Sequence, residues 1–151
     1  MLRVGLISDT HGLLRPQAVA ALEGCDRIVH GGDIGSAAIL EALAAIAPLT
    51  VVRGNNDREA WADGIPETAE LGVEEVRIHV IHDLAQIEAH LAGVRVVVSG
   101  HSHKPKVETR DGILYVNPGS AGPRRFKLPV SVAELTIEGA SVSARIVELA
   151  V

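Results

Sequence analysis

The chain has 151 residues, of which 47% are hydrophobic and only 2% aromatic, and its formal net charge is −5. This length predicts one domain over residues 1–151 with a core of aliphatic side chains, as is typical of sheets covered by helices. The negative charge argues against a general nucleic-acid surface. We find neither a membrane span nor a signal sequence, so we expect a soluble, cytoplasmic protein. Cys25 is the single cysteine, which excludes an internal disulfide, and we expect it to be buried.

The first half of the chain alternates strands with helices. We expect strands and helices in turn over residues 2–7, 16–22, 27–30, 37–46 and 49–52, with Ser36 as the N-cap of the second helix. This alternation predicts a parallel sheet, whose strands end along one common edge. Asp9, Asp33 and Asn55 each follow one of these strands and should therefore lie at that edge.

The second half of the chain is rich in strands. We expect strands over 67–71 and 75–81 joined by a turn at Gly72, a helix over 84–91, and further strands over 95–98, 106–109, 113–116, 129–137 and 141–149. Together with the first half, this pattern predicts an α/β protein in which two sheets pack face to face, with helices outside each sheet.

Three histidines follow strands of this second half. His82 directly follows the strand predicted over 75–81. His101 and His103 come after Gly100, where the chain turns at the end of the buried strand 95–98. An ordinary role in a turn or on the surface would explain any one of these histidines, or any one of the strand-end residues of the first half. Independent turn residues, however, have no reason to converge on one edge.

Oxygen and nitrogen ligands without sulfur suit Mn²⁺, Zn²⁺, Fe or Ni²⁺, and five or more of them exceed what one ion holds. We therefore predict two divalent ions per chain, with Mn²⁺ as the first candidate. The seven candidate ligands are Asp9, His11, Asp33, Asn55, His82, His101 and His103.

Several motifs follow one another in a fixed order along the chain: Asp9-Thr10-His11, Gly32-Asp33, Gly54-Asn55-Asn56-Asp57, His82, Gly100-His101-Ser102-His103, and Asn117-Pro118-Gly119-Ser120 with Pro123-Arg124. In this order they resemble the calcineurin-like metallophosphoesterases, in particular the small bacterial and archaeal phosphodiesterases of the YfcE/MJ0936 type. The resemblance covers residues 4 to 136. It implies a four-layer α/β/β/α sandwich of two mixed sheets flanked by helices.

The resemblance also assigns roles to the seven candidate ligands. Asp33 would bridge two metals, one held by Asp9, His11 and His103 and the other by Asn55, His82 and His101. The glycines at 32, 54 and 100 each precede a ligand, where we expect the loop to turn tightly.

Two positions depart from the wider family. Asn56 stands where phosphatases and nucleases have a histidine that protonates the leaving oxygen, which an amide cannot do. Members of the small phosphodiesterase branch commonly lack that histidine too. Asp83 replaces the glycine that usually follows the ligand histidine, which makes His82 the ligand most open to question, although Asp83 can also orient an imidazole ring.

The sequence therefore predicts a phosphodiesterase in which a metal-bridging hydroxide attacks a small phosphodiester in line. Arg124, Arg125 and Arg58 are either phosphate-binding or solvated surface arginines. Two alternatives stay open: a phosphomonoesterase or dinucleotide hydrolase with the same metals, and a non-catalytic scaffold like the retromer subunit VPS29. The residues expected to take part in catalysis are Asp33, Asn55, Asn56, Asp57 and Arg124. Of these, Asp33 and Asn55 are also candidate metal ligands.

Trp61 and Phe126 lie in loops without a readable motif. We expect them to pack in the core or at an interface, with a hydrophobic lid as the other reading. The oligomeric state is open, and a homo-oligomer is among the alternatives.

Overall fold

Two mixed sheets organise the molecule. The computed structural model describes residues 1–87 and 91–151. The first sheet consists, in spatial order, of β10 (Ser141–Glu148), β9 (Ser131–Glu138), β1 (Leu2–Ile7), β2 (Arg27–His30) and β3 (Leu49–Val51). The second consists of β4 (Thr68–Val73), β5 (Val76–Ile81), β6 (Val96–Val98), β8 (Ile113–Asn117) and β7 (Lys106–Arg110). The predicted α/β sandwich is confirmed.

The central strands of both sheets are parallel, which sets the position of the functional loops. In the first sheet β2 pairs in parallel with both β1 and β3, and in the second β6 pairs in parallel with both β5 and β8. Antiparallel strands form both edges of the second sheet, whereas in the first sheet β9 and β10 add antiparallel pairs on one side and β3 is the other edge. The loops that leave each parallel set therefore share one end of their sheet.

The main core lies between the sheets. Because successive side chains on a strand point to opposite faces, Val4 and Leu6 of β1 face this core, whereas Ile7 faces the helices. Ile78 and Val80 on β5 meet them from the second sheet. The buried cluster between the two sheets thus consists of aliphatic side chains.

Two helices cover the outer face of the first sheet. α1 (Pro16–Leu22) starts with Pro16, and α2 (Ala37–Ala44) is shorter than the predicted 37–46. Ser36 holds the N-cap position of α2, but its side chain makes no capping hydrogen bond. α1 lies close to β1 because Gly5 has no side chain: a Cβ there would stand 2.5 Å from Leu22 Cδ2.

Buried Cys25 and partly buried Trp61 complete this helical layer. Cys25 is 7% exposed, as expected, and belongs to the same cluster as Leu22 and Leu43. Trp61, on the 3₁₀ turn Ala60–Ala62, packs against that cluster. Phe126, by contrast, is 89% exposed.

Two predicted elements differ from the structure. The turn expected at Gly72 lies at residues 74–75, because Gly72 pairs with Arg77 in the β4–β5 ladder and Val73 is buried between the sheets. The helix expected over 84–91 is only a 3₁₀ turn, Leu84–Gln86, in the described residues, because the backbone is already extended at Ile87; residues 88–90 lie outside the described part of the chain. No helix in the described ranges is long and apolar enough to cross a membrane.

Candidate metal centre

All seven predicted ligands come together where the ends of the parallel strands of the two sheets meet. Asp9 and His11 follow β1, Asp33 follows β2 and Asn55 follows β3. From the second sheet, His82 follows β5, and the loop after β6 supplies the remaining two histidines. The donor atoms form two neighbouring groups. One contains Asp9, His11 and His103, and the other contains Asp33, His82 and His101 together with Asn55.

The first group is a triangle of donor atoms. His103 Nε2 lies 3.4 Å from Asp9 Oδ1 and 3.3 Å from His11 Nε2. The third side, from His11 Nε2 to Asp9 Oδ1, is 3.7 Å. Two donor atoms that bind the same ion at about 2.1 Å stand roughly 3.0 to 3.4 Å apart when the donor–metal–donor angle lies between 90° and 109°. The sides of this triangle lie in or slightly above that range, as a metal site requires.

The two carboxylate oxygens of Asp9 differ in their hydrogen bonds. Oδ2 accepts hydrogen bonds from the Ser8 hydroxyl at 2.7 Å and from the His101 backbone N–H at 3.1 Å. Oδ1 is buried and has no hydrogen-bond partner in the described part of the chain. A buried carboxylate oxygen without a donor is costly unless a cation satisfies it. The donor set therefore fits a divalent ion.

The second group has the same character. Asn55 Oδ1 lies 3.0 Å from His82 Nε2 and 3.2 Å from His101 Nδ1. His82 Nδ1 lies 2.7 Å from the Gly31 carbonyl oxygen. Since a carbonyl oxygen only accepts, the proton of the neutral ring sits on Nδ1, which leaves the Nε2 lone pair directed into the group. His82, the ligand left in question by the sequence, is thus held with its free nitrogen inward.

Asp33 stands between the two groups. Its Oδ2 is 3.2 Å from His82 Nε2 and 3.7 Å from His11 Nε2. Asn56 holds the same carboxylate: its backbone N–H donates to Oδ1 at 2.9 Å and its side-chain amide donates to Oδ2 at 3.2 Å. This is the place that a bridging carboxylate would occupy.

Proximity of the rings shifts the pKa of both carboxyl groups. Burial by itself raises the pKa of Asp9, but the His103 and His11 rings and the Ser8 hydroxyl outweigh it and hold the pKa well below its usual value. Asp33 follows the same logic: burial opposes ionisation, while His82 and the Asn56 N–H lower the pKa further than burial raises it. Both groups are therefore carboxylates at neutral pH, the form that binds cations.

The comparison with known proteins agrees with this arrangement. Residues 2–140 match the calcineurin-like phosphoesterase superfamily domain. The chain belongs to this family.

Relatives of this metallophosphoesterase include curated proteins and solved structures. A probable metallophosphoesterase of Methanothermobacter thermautotrophicus is 34% identical over 159 residues, covering 95% of this chain and 91% of that protein. The phosphodiesterase MJ0936 of Methanocaldococcus jannaschii is 27% identical over 139 residues, covering 78% and 83%. The vacuolar protein sorting 29 structure from Cryptosporidium parvum has a TM-score of 0.84 at 21% identity, covering 99% and 92%. This last likeness concerns the fold. The predicted membership of the superfamily and of its small phosphodiesterase branch is confirmed.

Backbone strain marks the ligand loops of this metallophosphoesterase. The ligands Asp9, His11, Asp33, His101 and His103 all have positive φ, between 45° and 71°. Non-glycine residues adopt this left-handed conformation at a cost of roughly 1–3 kcal/mol each and do so mostly at functional sites. The sequence showed polar residues next to glycines but not that the ligands themselves would be strained.

A buried histidine that sequence reasoning missed lies beneath the ligand loops. His30 Nδ1 accepts a hydrogen bond from the Gly32 N–H at 3.0 Å, so the proton of the neutral ring is on Nε2. Nε2 lies 3.0 Å from Thr10 Oγ1, which in turn donates to the Ile34 carbonyl at 2.7 Å. Burial lowers the pKa of His30 to about 4. The neutral ring therefore ties the Asp9 loop to the Asp33 loop.

Asp57 also holds loops in place. Its Oδ1 accepts from the backbone N–H groups of Ile34 and Gly35, and its Oδ2 accepts from Gly54 N–H at 2.9 Å. The side chain is buried. These bonds fix the loop after β3 against the loop after β2, so the geometry of Asp57 is that of a positioning residue for Asp33.

The three arginines differ in their relation to the centre. Arg124 is exposed, and the charge of its neighbour Arg125 acts on His11. The pKa of His11 is raised, mainly by its interaction with Asp9, while Arg125 opposes that shift. The Arg58 side chain donates to the Asn55 carbonyl at 3.0 Å and so braces the loop of a ligand.

Asp83 lies beside the second group. Its Oδ2 is 3.8 Å from His101 Nε2, on the opposite side of the ring from Asn55. Asp83 Oδ1 accepts the N–H of Ala85 and caps the following turn. The carboxylate therefore neighbours an imidazole ring, as the sequence allowed, and that ring is His101.

Proposed function

We propose that this metallophosphoesterase is a phosphodiesterase that holds two divalent ions and hydrolyses small phosphodiesters. The observation that carries the proposal is the position of Asp33 Oδ2 between two groups of donor atoms, 3.7 Å from His11 Nε2 and 3.2 Å from His82 Nε2. A shared carboxylate offsets the repulsion between two neighbouring cations. Mn²⁺ is the first candidate for both ions, with Ni²⁺, Fe and Zn²⁺ as alternatives.

Divalent ions bound at such a centre polarise phosphate oxygens and lower the pKa of water from 15.7 to about 7. The surrounding residues of the chain hold the candidate ligands in place. Gly31 fixes the tautomer of His82 through its carbonyl, and Ser8 and the His101 N–H occupy the outer oxygen of Asp9. Asn56 holds both oxygens of Asp33. Ligands held in this way need no rearrangement when the ions bind.

The residue next to Asn55 favours diesters with good leaving groups. Asn56 cannot donate a proton to an alkoxide, and its amide already donates to Asp33 at 3.2 Å. A leaving group that departs without protonation must have a low pKa. We therefore expect aryl phosphodiesters to be cleaved much faster than alkyl phosphomonoesters.

Substrate anions need local positive charge, because the chain as a whole carries −5. Arg125 is the cation whose charge acts on His11, and Arg124 precedes it in the same exposed loop. Arginine binds phosphate oxygens in a planar, bidentate way. We assign the phosphate-binding role to this pair.

Metal content and a substrate panel test the proposal together. Protein purified without chelator should hold about two ions per chain and hydrolyse bis(4-nitrophenyl) phosphate far faster than glycerol phosphate. Asp33→Asn keeps the shape of the side chain but removes its charge, and Asp33→Ala removes the bridge. Both should lose metal and at least about 10²-fold in turnover. The matched control Asp63→Ala, at an exposed aspartate, should change neither.

The same measurements decide between the alternatives. Protein that binds no ions and cleaves no ester would support a VPS29-like scaffold. Comparable turnover of the aryl diester and glycerol phosphate would favour a phosphomonoesterase. Near-normal activity of Asp33→Ala would rule out a shared carboxylate at the centre.

A further inference from the structure

A cleft opens beside the second donor group. Its volume is about 680 Å³, which lies within the range of small-molecule sites. Asn55, His82 and His101 form its inner end. From there it extends over the outer face of the second sheet, because His79 lines it and alternates along β5 with Ile78 and Val80 of the inter-sheet core. A substrate bound at the metal centre would therefore have this cleft next to one of its substituents.

His79 is the unusual residue of this cleft. It is only 4% exposed, and both ring nitrogens are buried without a hydrogen-bond partner among residues 1–87 and 91–151. The carboxylate of Glu70 is near, but at 3.8 Å from Nδ1 it is too far for a hydrogen bond. Buried polar groups are nearly always paired, and an unpaired one calls for an explanation such as a ligand. His79 does not belong to the donor groups described above, so the metal centre does not supply that explanation.

The charges around the cleft indicate what the ligand must be. Arg53 is paired with Glu67, with 3.0 Å between Nη2 and Oε1, and Asp83 adds a further negative charge. An anionic group such as a second phosphate would meet net negative charge. Thr68 and Gln86 add a hydroxyl and an amide to the lining. Neutral groups that both donate and accept hydrogen bonds match these walls.

We propose that this cleft receives one substituent of the phosphodiester, and that this substituent is neutral and bears hydroxyl groups, as a nucleoside or sugar does. His79 is then the residue that selects it, by pairing a ring nitrogen with a hydroxyl. The inference rests on the proposed phosphodiesterase function and adds its substrate class.

Two phosphodiesters with the same leaving group test the proposal. The 4-nitrophenyl ester of thymidine 5′-phosphate carries a nucleoside, and methyl 4-nitrophenyl phosphate carries only a methyl group. Both have one negative charge and release 4-nitrophenolate, so their difference reports the retained substituent. We expect the wild type to show at least a tenfold higher kcat/KM for the nucleoside ester.

Variants of His79 locate that preference. His79→Phe keeps a buried ring without nitrogen and should lower kcat/KM for the nucleoside ester about tenfold, mainly through KM, which corresponds to one hydrogen bond of about 1.4 kcal/mol. The ratio of kcat/KM between the nucleoside ester and the methyl ester should fall by the same factor, while the metal content stays at the wild-type value. His79→Gln restores a donor and an acceptor and should recover part of the loss. Equal effects on both esters, or none, would overturn the inference while the phosphodiesterase function stands.

Binding without turnover gives an independent readout. Thymidine alone, added at millimolar concentration to isotope-labelled protein, should shift the NMR signals of the His79 ring and of the Gln86 amide. His79→Phe should abolish the shift at Gln86. Absence of these shifts in the wild type would overturn the inference whatever the enzyme assays show. If the wild type cleaves neither ester, both the proposed function and the assignment of a substrate to this cleft fail.

Discussion

Replacing Gly54 by alanine should disable the metal centre without touching a ligand. A Cβ at this position would stand 2.2 Å from Asp33 Oδ1 and 2.3 Å from the Asp33 backbone nitrogen. Contacts below 3.0 Å are essentially never seen for real Cβ atoms, so Asp33 must move by about 0.8 Å. Rotation of the side chain gives no relief, because the backbone nitrogen is as close as the carboxylate. The bridging carboxylate itself must therefore leave its place.

The size of that displacement sets the expected loss. Metal–ligand distances tolerate roughly 0.2 Å, and a misplacement of about 1 Å in an active site costs on the order of 10²-fold in rate. We expect Gly54→Ala to hydrolyse bis(4-nitrophenyl) phosphate more slowly by about that factor and to hold fewer than two ions. Overpacking should also lower the free energy of unfolding by roughly 1–3 kcal/mol.

The assay measures bound metal by mass spectrometry after dialysis against limiting Mn²⁺, together with the rate of hydrolysis and the unfolding free energy in urea. Gly72→Ala is the matched control, since a Cβ there meets nothing within 4 Å. That variant should behave as the wild type. If folded Gly54→Ala binds two ions and turns over within about threefold of the wild type, the reasoning from close approach is wrong.

Two further predictions follow from residues around the centre. Asn56→His supplies a proton donor beside the bridging carboxylate and should raise kcat for alkyl esters relative to aryl esters; an unchanged ratio in steady-state kinetics would contradict this. His30 should lower the stability of the metal-free protein as the pH falls from 6.5 to 4, because the unfolded chain takes up a proton that the buried ring, with its pKa lowered to about 4, does not; the raised pKa values of His11 and His82 act in the opposite direction. His30 contributes about 3 kcal/mol to that loss, from 2.5 pKa units at 1.36 kcal/mol each, and this stability is fully present above pH 6.5. In urea titrations at each pH, His30→Gln should lack this component, whereas parallel curves for variant and wild type would refute it.

The convergence of the candidate ligands was predictable because each of them is tied to a local signal. A strand of buried residues is followed by a polar side chain, and parallel strands bring such ends to one edge whatever the details of packing. Asp9, Asp33 and Asn55 follow β1, β2 and β3 in the structure as the pattern indicated. Predicted strand ends also indicated the three histidines of the second sheet, and the resemblance then divided the seven candidates between two metals.

Features that depend on a partner distant in sequence were not predictable. Gly54 and Gly100 were expected to form tight turns, but each is needed because a carboxylate from another loop approaches it: a Cβ at Gly100 would lie 2.6 Å from Asp9 Oδ2. Only Gly32, with φ of 101°, fits the expected role. The turn at 74–75 is a similar case, since burial of Val73 outweighed the local signal of Gly72.

The strain in the ligand loops links the fold to the proposed chemistry. Five ligands hold left-handed backbones that each cost roughly 1–3 kcal/mol, and the surrounding bonds must outweigh that cost. The Asp9 N–H donates to the Gly32 carbonyl at 3.0 Å, and the His11 N–H donates to the Asp33 carbonyl at 2.9 Å. These bonds pull the two loops together and aim both carboxylates inward. The donor atoms are therefore held in position before any ion binds, at the cost of strain in the loops that carry them.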